Sequence, residues 1–181
     1  MSDERCHIFK VVIAGPSKAG KTCLVHRFVD DVFLPDAITT IGVDFSLKYI
    51  SFVGPDPGVE GRMALQIWDM AGEDKFRTLL PYYLAGTQGI ILVFDITDPG
   101  SLGALAEWLE VLKTHVLGDT PLLLLSAKND LESKVTGEIV KDFQEKNNIG
   151  VYFDTSSKTG ENVNEAFLKI AEMIITGTKN G

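Results

Sequence analysis

The sequence predicts an α/β fold in three layers, with a six-stranded, mostly parallel sheet between two layers of helices. Strand-like and helix-like segments alternate along most of the chain, as in parallel strands joined by crossover helices. The runs Ile90–Phe94 and Leu122–Leu125 are apolar at every position, which is typical of strands buried on both faces. The nine residues Gly54–Arg62 link two adjacent strands. Because a parallel crossover needs about a dozen residues or more, one strand is predicted to be antiparallel.

Each predicted element corresponds to a run of suitable length and pattern. Strands are short apolar or alternating runs bounded by turn residues, and helices are longer segments with one apolar face, such as Leu102–His115 with Trp108. The predicted strands are Ile8–Ala14, Asp44–Val53, Met63–Asp69, Gly89–Asp95, Leu122–Ala127 and Val151–Asp154. The predicted helices are Lys21–Asp30, a short piece at Phe76–Leu84, Leu102–His115, Glu138–Asn147 and Val163–Ile175.

Composition restricts the class of protein. The 181 residues are enough for one domain, and 45% hydrophobic with 23% charged residues is typical of a globular protein. The net charge of −8 argues against nucleic acid as a partner. No apolar run has membrane-spanning length, the segment Met1–His7 is too polar for a secretory signal, and two cysteines make no disulfide framework. We expect a cytoplasmic protein with an N-terminal extension (1–7), one domain (8–176) and a flexible tail (177–181).

The segment Gly15–Thr22 has the spacing G-x-x-x-x-G-K-[ST] of a phosphate-binding loop. It lies between a predicted strand and a predicted helix, so backbone N–H groups and the positive end of the helix dipole converge on one spot. The Lys21 ammonium can neutralise phosphate charge, and the Thr22 hydroxyl can ligate Mg²⁺. The predicted phosphate-binding residues are Ser17, Lys18, Ala19, Gly20, Lys21, Thr22 and Cys23. The alternative is an ordinary glycine-rich turn.

Two further segments are placed to contact the terminal phosphate of a nucleotide on this loop. The sequence Asp69-Met70-Ala71-Gly72 is a D-x-x-G at the end of a predicted strand. Asp69 can hold a water molecule on Mg²⁺, and the Gly72 N–H can approach a γ-phosphate because no side chain blocks it. Thr40, in the loop before the predicted hairpin, can complete the Mg²⁺ shell while the γ-phosphate is present.

Two segments near the last strands are placed to contact a base. In Lys128-Asn129-Asp130, the Asp130 carboxylate can accept paired hydrogen bonds from guanine N1–H and the exocyclic amine, a pair of donors that adenine lacks. The backbone amides of the turn at Ser156, Ser157 and Lys158 can reach the O6 atom of the base. Asp130 is therefore predicted to select guanine.

With these motifs in order, the chain resembles the Ras superfamily of small GTP-binding proteins and, within it, the Rab branch. The resemblance covers about Phe9–Ile175, nearly the whole chain. Its Rab-like segments are Ile41–Phe45, Leu65–Asp69, Phe76–Leu80 and Gly89–Asp95. The resemblance implies the small G-protein domain with bound GTP or GDP and Mg²⁺. It also implies a switch that recruits effector proteins in vesicle traffic and is controlled by an exchange factor and a GTPase-activating protein.

The resemblance also implies roles for individual residues. It makes Lys21, Thr40, Gly72 and position 73 the catalytic group, and Phe33 the aromatic edge against the base. It implies an effector surface formed by Ile41, Gly42, Phe45, Trp68, Phe76 and Tyr83. For Phe45, Trp68 and Tyr83 the alternative is plain core packing, and an exposed apolar patch would favour the effector surface.

Glu73 is the first departure from the family pattern, which usually has a Gln that orients the attacking water. A carboxylate can accept a hydrogen bond from that water but cannot donate one to the developing charge, and it adds repulsion. We therefore expect weak intrinsic hydrolysis. The alternative is that Glu73 acts as a general base, with its pKa raised by the phosphates. An activating protein that supplies both an Arg and a Gln would still permit stimulated turnover.

Ala127 is the second departure, since the family pattern N-K-x-D has Asn at this position. That Asn normally binds the base and ties its motif to the phosphate loop. We expect guanine selectivity to be retained through Asp130, with faster nucleotide release than in a typical relative.

The third departure is at the carboxyl terminus, which ends Thr178-Lys179-Asn180-Gly181 without the prenylated cysteines of Rab-like proteins. We expect either that a flexible lipidated tail has been trimmed from this sequence, which we favour, or that the protein acts without a lipid.

The sequence leaves two alternative functions for the whole chain. Glu73 and Ala127 motivate a non-hydrolysing or weakly nucleotide-binding interaction protein on the same fold. A P-loop kinase is disfavoured because no Arg-rich lid segment is present.

Overall fold

The computed structural model describes residues 7–35, 40–53, 60–73, 78, 80–116 and 118–178. These residues form eleven elements in the predicted order. Their bounds agree with the predicted ones within a few residues, apart from the start of the short second helix, which was predicted at Phe76, outside the described residues. The strands are β1 (His7–Ala14), β2 (Val43–Val53), β3 (Glu60–Met70), β4 (Gly89–Asp95), β5 (Leu122–Ala127) and β6 (Val151–Asp154). The helices are α1 (Lys21–Asp30), α2 (Leu80–Leu84), α3 (Pro99–His115), α4 (Gly137–Asn147) and α5 (Val163–Thr178).

The six strands form one sheet in the order β2-β3-β1-β4-β5-β6. Only the β2–β3 pair is antiparallel, with Phe45 opposite Trp68, and every other neighbouring pair is parallel. The predicted mixed sheet with one antiparallel strand is therefore confirmed. The chain moves from β1 to one side for β3 and to the other side for β4, so β1 lies at the topological switch point of the sheet.

The sheet has a hydrophobic core on each face. Successive residues of a strand point to opposite faces, so Val11 and Ile13 of β1 enter one core while Val12 and Ala14 enter the other. Helices α1 and α5 cover the first core, and α2, α3 and α4 cover the second. The predicted three-layer arrangement, with helices on both faces, is confirmed.

Two helices differ from the predicted bounds for identifiable reasons. Helix α3 begins at Pro99, three residues before the prediction, because the Asp98 side chain caps it by accepting from Gly100 N at 3.0 Å and proline suits the first helical position. Helix α5 continues to Thr178, beyond the predicted end at Ile175, and the Thr176 hydroxyl donates to Glu172 O at 3.0 Å. Gly177 and Thr178 therefore belong to the helix.

Some strand bounds also differ from the predicted ones. Strand β1 begins at His7, one residue before the predicted start, because this residue pairs with Met63 in the sheet. Strand β3 begins at Glu60 because backbone pairing with Val53 continues past the predicted start. Thr39, Phe76 and the hairpin tip 54–59 lie outside the described residues. No helix in the described part of the chain is both long enough and apolar enough to cross a lipid bilayer.

Candidate nucleotide site

The loop Gly15–Thr22 connects the end of β1 to the start of α1, as predicted. Gly15 has φ of +148°, and a Cβ atom there would lie 2.2 Å from the carbonyl oxygen of Val93, so only glycine fits between the loop and β4. Gly20, at φ +102°, precedes the first helical residue, Lys21. The loop is therefore held by its glycines at the carboxyl edge of the sheet, with the amino end of α1 facing it.

Lys21 folds back over this loop. Its Nζ atom donates to the carbonyl oxygens of Gly15 and Pro16, both at 2.8 Å, and the side chain is only 6% exposed. Burial lowers the pKa of Lys21 to about 8, and the nearby Asp69 carboxylate opposes this change. The arrangement keeps a cation at the mouth of the loop, where phosphate charge would offset its desolvation.

Thr22, Thr40 and Asp69 come together although they are far apart in the sequence. The Thr22 hydroxyl donates to Asp69 Oδ2 at 2.5 Å and lies 2.9 Å from the Thr40 hydroxyl, and Thr40 donates to Asp69 Oδ2 at 3.4 Å. Burial raises the pKa of Asp69, while the hydrogen bond from Thr22 and the Lys21 charge act in the opposite direction.

The same three residues fit a magnesium ion. Hydroxyl and carboxylate oxygens are the ligands that Mg²⁺ prefers, and two hydroxyls with one carboxylate converge here beside the phosphate-binding loop. Asp69 Oδ1 is buried and has no hydrogen-bond partner among the described residues, so an acceptor is available for a metal-bound water. The oxygens of Thr22 and Thr40 would contact the ion directly, and Asp69 would act through water.

Gly72 lies against the phosphate-binding loop. A Cβ atom on this residue would lie 2.2 Å from Ser17 N and 2.4 Å from the carbonyl carbon of Pro16. Position 72 must therefore be glycine for the chain after β3 to approach the loop. Glu73, the next residue, is partly buried.

A cleft of about 340 Å³ opens over these residues. It is lined by Ser17, Lys18, Gly20, Lys21, Thr22, Cys23, Pro35, Thr40, Met70, Gly72 and Lys128. Ala19 is buried within the loop, whereas Pro35 contributes to the cleft in the loop after α1. Phe33 is partly buried and is not part of this lining, so its predicted contact with a base stays a prediction.

The predicted base-binding segments meet beside the cleft. Ser156 Oγ donates to Asp130 Oδ1 at 2.6 Å, and Lys158 Nζ lies 3.9 Å from Asp130 Oδ2. The Arg27 guanidinium holds the turn by donating to the carbonyl oxygens of Ser157 at 2.7 Å and Lys158 at 3.1 Å. Asp130 and the turn 156–158 therefore form one unit, anchored to α1.

Lys128 links this unit to the phosphate-binding loop. It adopts a left-handed backbone conformation with φ of 67°, and its Nζ atom donates to Lys18 O at 3.0 Å and forms an ion pair with Asp95. The sequence predicts that Lys128 lies near the base of a bound nucleotide. It does not identify Asp95, which ends β4 at the same edge of the sheet.

Ala127 lies directly against the phosphate-binding loop. Its Cβ atom is 3.2 Å from where a Cβ on Gly20 would be, and the residue is buried. The neighbouring segment is held from β6 instead: the Ser126 hydroxyl donates to Asp154 Oδ1 at 2.7 Å, and the Thr155 hydroxyl donates to Ser126 O at 2.5 Å. These bonds fix β5 to β6 but make no link to the loop.

Three residues of the predicted effector surface form a partly exposed aromatic row: Phe45, Trp68 and Tyr83. Phe45 is 60% exposed, and its ring centroid is 6.2 Å from that of Trp68, which lies 6.0 Å from that of Tyr83. Ile41, next to Gly42, is 81% exposed. An exposed apolar patch is therefore present, with Trp68 partly buried between the core and the surface.

Sequence reasoning missed Lys10, which contacts this row. Its Nζ atom lies 4.0 Å from the centroid of the Trp68 ring. In the sequence, Lys10 is the single charged residue in the apolar run of β1, which could have drawn attention to it. The strand pattern alone does not identify its partner.

The fold and this site define a P-loop nucleotide-binding protein. The family model "Ras family" matches residues 10–176 of the chain. The Ras-related protein SEC4 of Saccharomyces cerevisiae is 38% identical over 168 residues, 92% of this chain and 75% of that protein. The Ras-related protein Rab-13 of Rattus norvegicus is 38% identical (95% and 82%), and the GTP-binding protein YPT1 of Saccharomyces cerevisiae is 37% identical (96% and 82%). The chain therefore belongs to the Ras family, as a Rab-like small GTPase.

Proposed function

We propose that this protein is a Rab-type switch, which alternates between GTP- and GDP-bound states and recruits effector proteins in intracellular vesicle traffic. The observation that carries the proposal is the convergence of Thr22, Thr40 and Asp69 within 2.5–3.4 Å of one another. Thr40 comes from the loop before β2, and Asp69 from the end of β3. Both loops that change in a switch of this class therefore meet at one point beside the phosphate-binding loop.

The residues of the chain supply distinct parts of nucleotide binding. The amides from Ser17 to Cys23 surround the phosphates, and Lys21 stabilises charge on the β- and γ-phosphates. Asp130 selects guanine, supported by Ser156, Ser157 and Lys158. A bound Mg²⁺ ion would supply positive charge that offsets the negative charge of the phosphates. Thr22 and Thr40 would hold that ion directly, and Asp69 would hold it through water.

The switch between two conformations depends on the contacts that the protein makes only with the γ-phosphate. On this proposal, the Gly72 N–H and the Thr40 hydroxyl gain an additional contact only when the nucleotide carries a γ-phosphate, so hydrolysis removes a contact from each loop. Thr40 is followed by Ile41, Gly42 and Phe45, so the state of the nucleotide changes the surface that carries the aromatic row. Lys21, Thr40, Gly72 and Glu73 form the proposed catalytic group, with slow turnover unless an activating protein is present.

The partners and location are proposed on the same basis. The surface of Ile41, Gly42, Phe45, Trp68, Phe76 and Tyr83 would bind effectors, and an exchange factor and an activating protein would set the nucleotide state. The protein would be cytoplasmic, and it would be peripheral on an intracellular membrane if a native lipidated tail exists.

Titration calorimetry of nucleotide-free protein in Mg²⁺ buffer tests nucleotide binding. We expect GDP and a non-hydrolysable GTP analogue to bind, and ADP to bind at least about 100-fold more weakly, because adenine leaves the Asp130 carboxylate without its two donors. Hydrogen exchange then tests switching: amides of 40–45 and 72–73 should be better protected with the GTP analogue than with GDP. Equal protection would contradict a switch, and equal binding of ADP would contradict guanine selection.

An interaction protein that does not hydrolyse GTP is the second candidate, favoured by Glu73 and Ala127. Phosphate release from GTP under single-turnover conditions distinguishes the two. Release with Mg²⁺ supports the switch, and nucleotide binding without any release supports the second candidate.

A further inference from the structure

Lys10 connects β1 to residues 83–88, which comprise the carboxyl end of α2 and the residues that follow it. Its Nζ atom donates to the carbonyl oxygens of Tyr83 at 2.5 Å and Ala85 at 3.0 Å. Helix α2 has only five residues, so the carbonyls at its carboxyl end have no partners within the helix. A cation at that end satisfies them and interacts favourably with the helix dipole.

The backbone of Lys10 holds the same segment a second time. Gln88 N donates to Lys10 O at 2.9 Å, and Lys10 N donates to the side-chain oxygen of Gln88 at 3.1 Å. One residue of β1 therefore makes four hydrogen bonds to the 83–88 segment. This segment carries Tyr83, the last member of the aromatic row.

The ammonium group of Lys10 also contacts the middle of the aromatic row. It lies over the Trp68 ring, 4.0 Å from the centroid, in the geometry of a cation–π contact. A hydrogen bond also holds the Trp68 ring, because its Nε1 atom donates to Gln66 Oε1 at 3.0 Å. A lysine ammonium has three donors, and here two are used on carbonyls of the 83–88 segment while its charge faces the ring.

We propose that Lys10 is a positioning residue for the effector surface. By joining the end of α2 to Trp68, it sets the spacing of Phe45, Trp68 and Tyr83, the row that a partner with an apolar contact face would recognise. The inference rests on the proposed function for the role of this surface. The positioning itself depends only on contacts within this chain and is tested without a partner.

The variant Lys10→Met keeps most of the side-chain length but removes the charge and the donors, and Lys10→Arg restores both. The matched control is Lys48→Met, because Lys48 also donates to a backbone carbonyl (Val29 O, 2.8 Å) and lies 5.8 Å from the centroid of an aromatic ring (Phe28), but on the opposite face of the sheet. The chain has two tryptophans, so a Trp108→Phe background leaves Trp68 as the only reporter.

In the GDP-bound protein, we expect Lys10→Met to raise the acrylamide quenching constant of Trp68 about twofold, because the ring loses a covering group. We also expect amide exchange at Thr87 and Gln88 to become at least about tenfold faster, in the natural Trp108 background as well. Lys10→Arg should restore both values, and Lys48→Met should change neither. The GDP dissociation rate should stay within about twofold, since within the described part of the chain Lys10 contacts no residue of the nucleotide cleft.

Unchanged quenching and exchange in Lys10→Met would overturn the proposal, as would an equal change in Lys48→Met, which would indicate general loosening. These outcomes are independent of the proposed function, whose failure would appear as a lack of guanine-nucleotide binding or of nucleotide-dependent exchange at 40–45.

Discussion

Glu73 follows Gly72, the glycine that packs on the phosphate-binding loop, so its side chain starts beside the proposed phosphate site. In small GTPases the residue at this position orients the attacking water, and an amide can both accept from water and donate to the phosphate. A carboxylate lacks the donor and adds negative charge where negative charge develops. The departure from the family pattern at position 73 therefore lies next to the glycine that packs on the phosphate-binding loop, and its effect on turnover is a prediction.

We predict that Glu73→Gln hydrolyses GTP about tenfold faster than the natural protein in single-turnover assays without an activating protein. The factor corresponds to about 1.4 kcal/mol of transition-state stabilisation. Glu73→Ala is the control: it removes the repulsion but supplies no donor, so its rate should fall between the two. A glutamine variant slowed by tenfold or more would instead support Glu73 as a general base.

Ala127 lies against Gly20 of the phosphate-binding loop and offers no hydrogen bond to it. We predict that Ala127→Asn slows GDP dissociation about 5- to 150-fold, which corresponds to a partly buried hydrogen bond of about 1–3 kcal/mol. The rate is measured by displacing a fluorescent GDP analogue with excess GDP. Ala106→Asn, on the exposed face of α3, is the matched control and should leave the rate unchanged. An unchanged rate in Ala127→Asn would contradict the role assigned to this position.

At the scale of elements, α1 and α5 are joined by an aromatic pair beneath the phosphate-binding loop. The rings of Phe28 and Phe167 stack with centroids 4.2 Å apart and an interplanar angle of 7°, and both side chains are buried in the core on that face. Since α1 carries Lys21 and Thr22 and Arg27 holds the base-binding turn, this pair fixes the helix that supports both parts of the nucleotide site.

We predict that Phe167→Ala lowers the free energy of unfolding by about 3–5 kcal/mol, because it removes a buried ring and leaves a cavity. Urea unfolding monitored by circular dichroism measures the change. Phe45→Ala removes the same group from a site that is 60% exposed and should cost about 1 kcal/mol or less. Equal losses of unfolding free energy in the two variants would show that the α1–α5 contact does not contribute more to stability than an exposed aromatic residue.

The elements themselves could be predicted because their signals are local. The apolar run of β4 and the short link after β2 each predict a strand or a hairpin without reference to the rest of the chain. The start of α3 was missed because its cap, Asp98 followed by Pro99, precedes the apolar pattern that suggested the helix. The end of α5 was missed because helical bonding continues into polar residues.

For the whole molecule, the order of the strands explains where the site lies. Strand β1 has β3 on one side and β4 on the other, so the loop after β1 opens into the crevice where the chain direction across the sheet reverses. The carboxyl ends of β3, β4 and β5 bring Asp69, Asp95 and Ala127 to the same edge. Residues separated by up to about a hundred positions can therefore act on one nucleotide.

The sequence by itself determined the alternation of strands and helices, the single antiparallel strand, the phosphate-binding loop and the family, because these depend on patterns within a few residues. Only the tertiary structure decided that Thr40 meets Thr22 and Asp69, that Ala127 abuts Gly20, and that Lys10 connects Trp68 to the end of α2. The physical reason is that such contacts depend on strand order and on the face each side chain occupies. Packing of the whole sheet sets both.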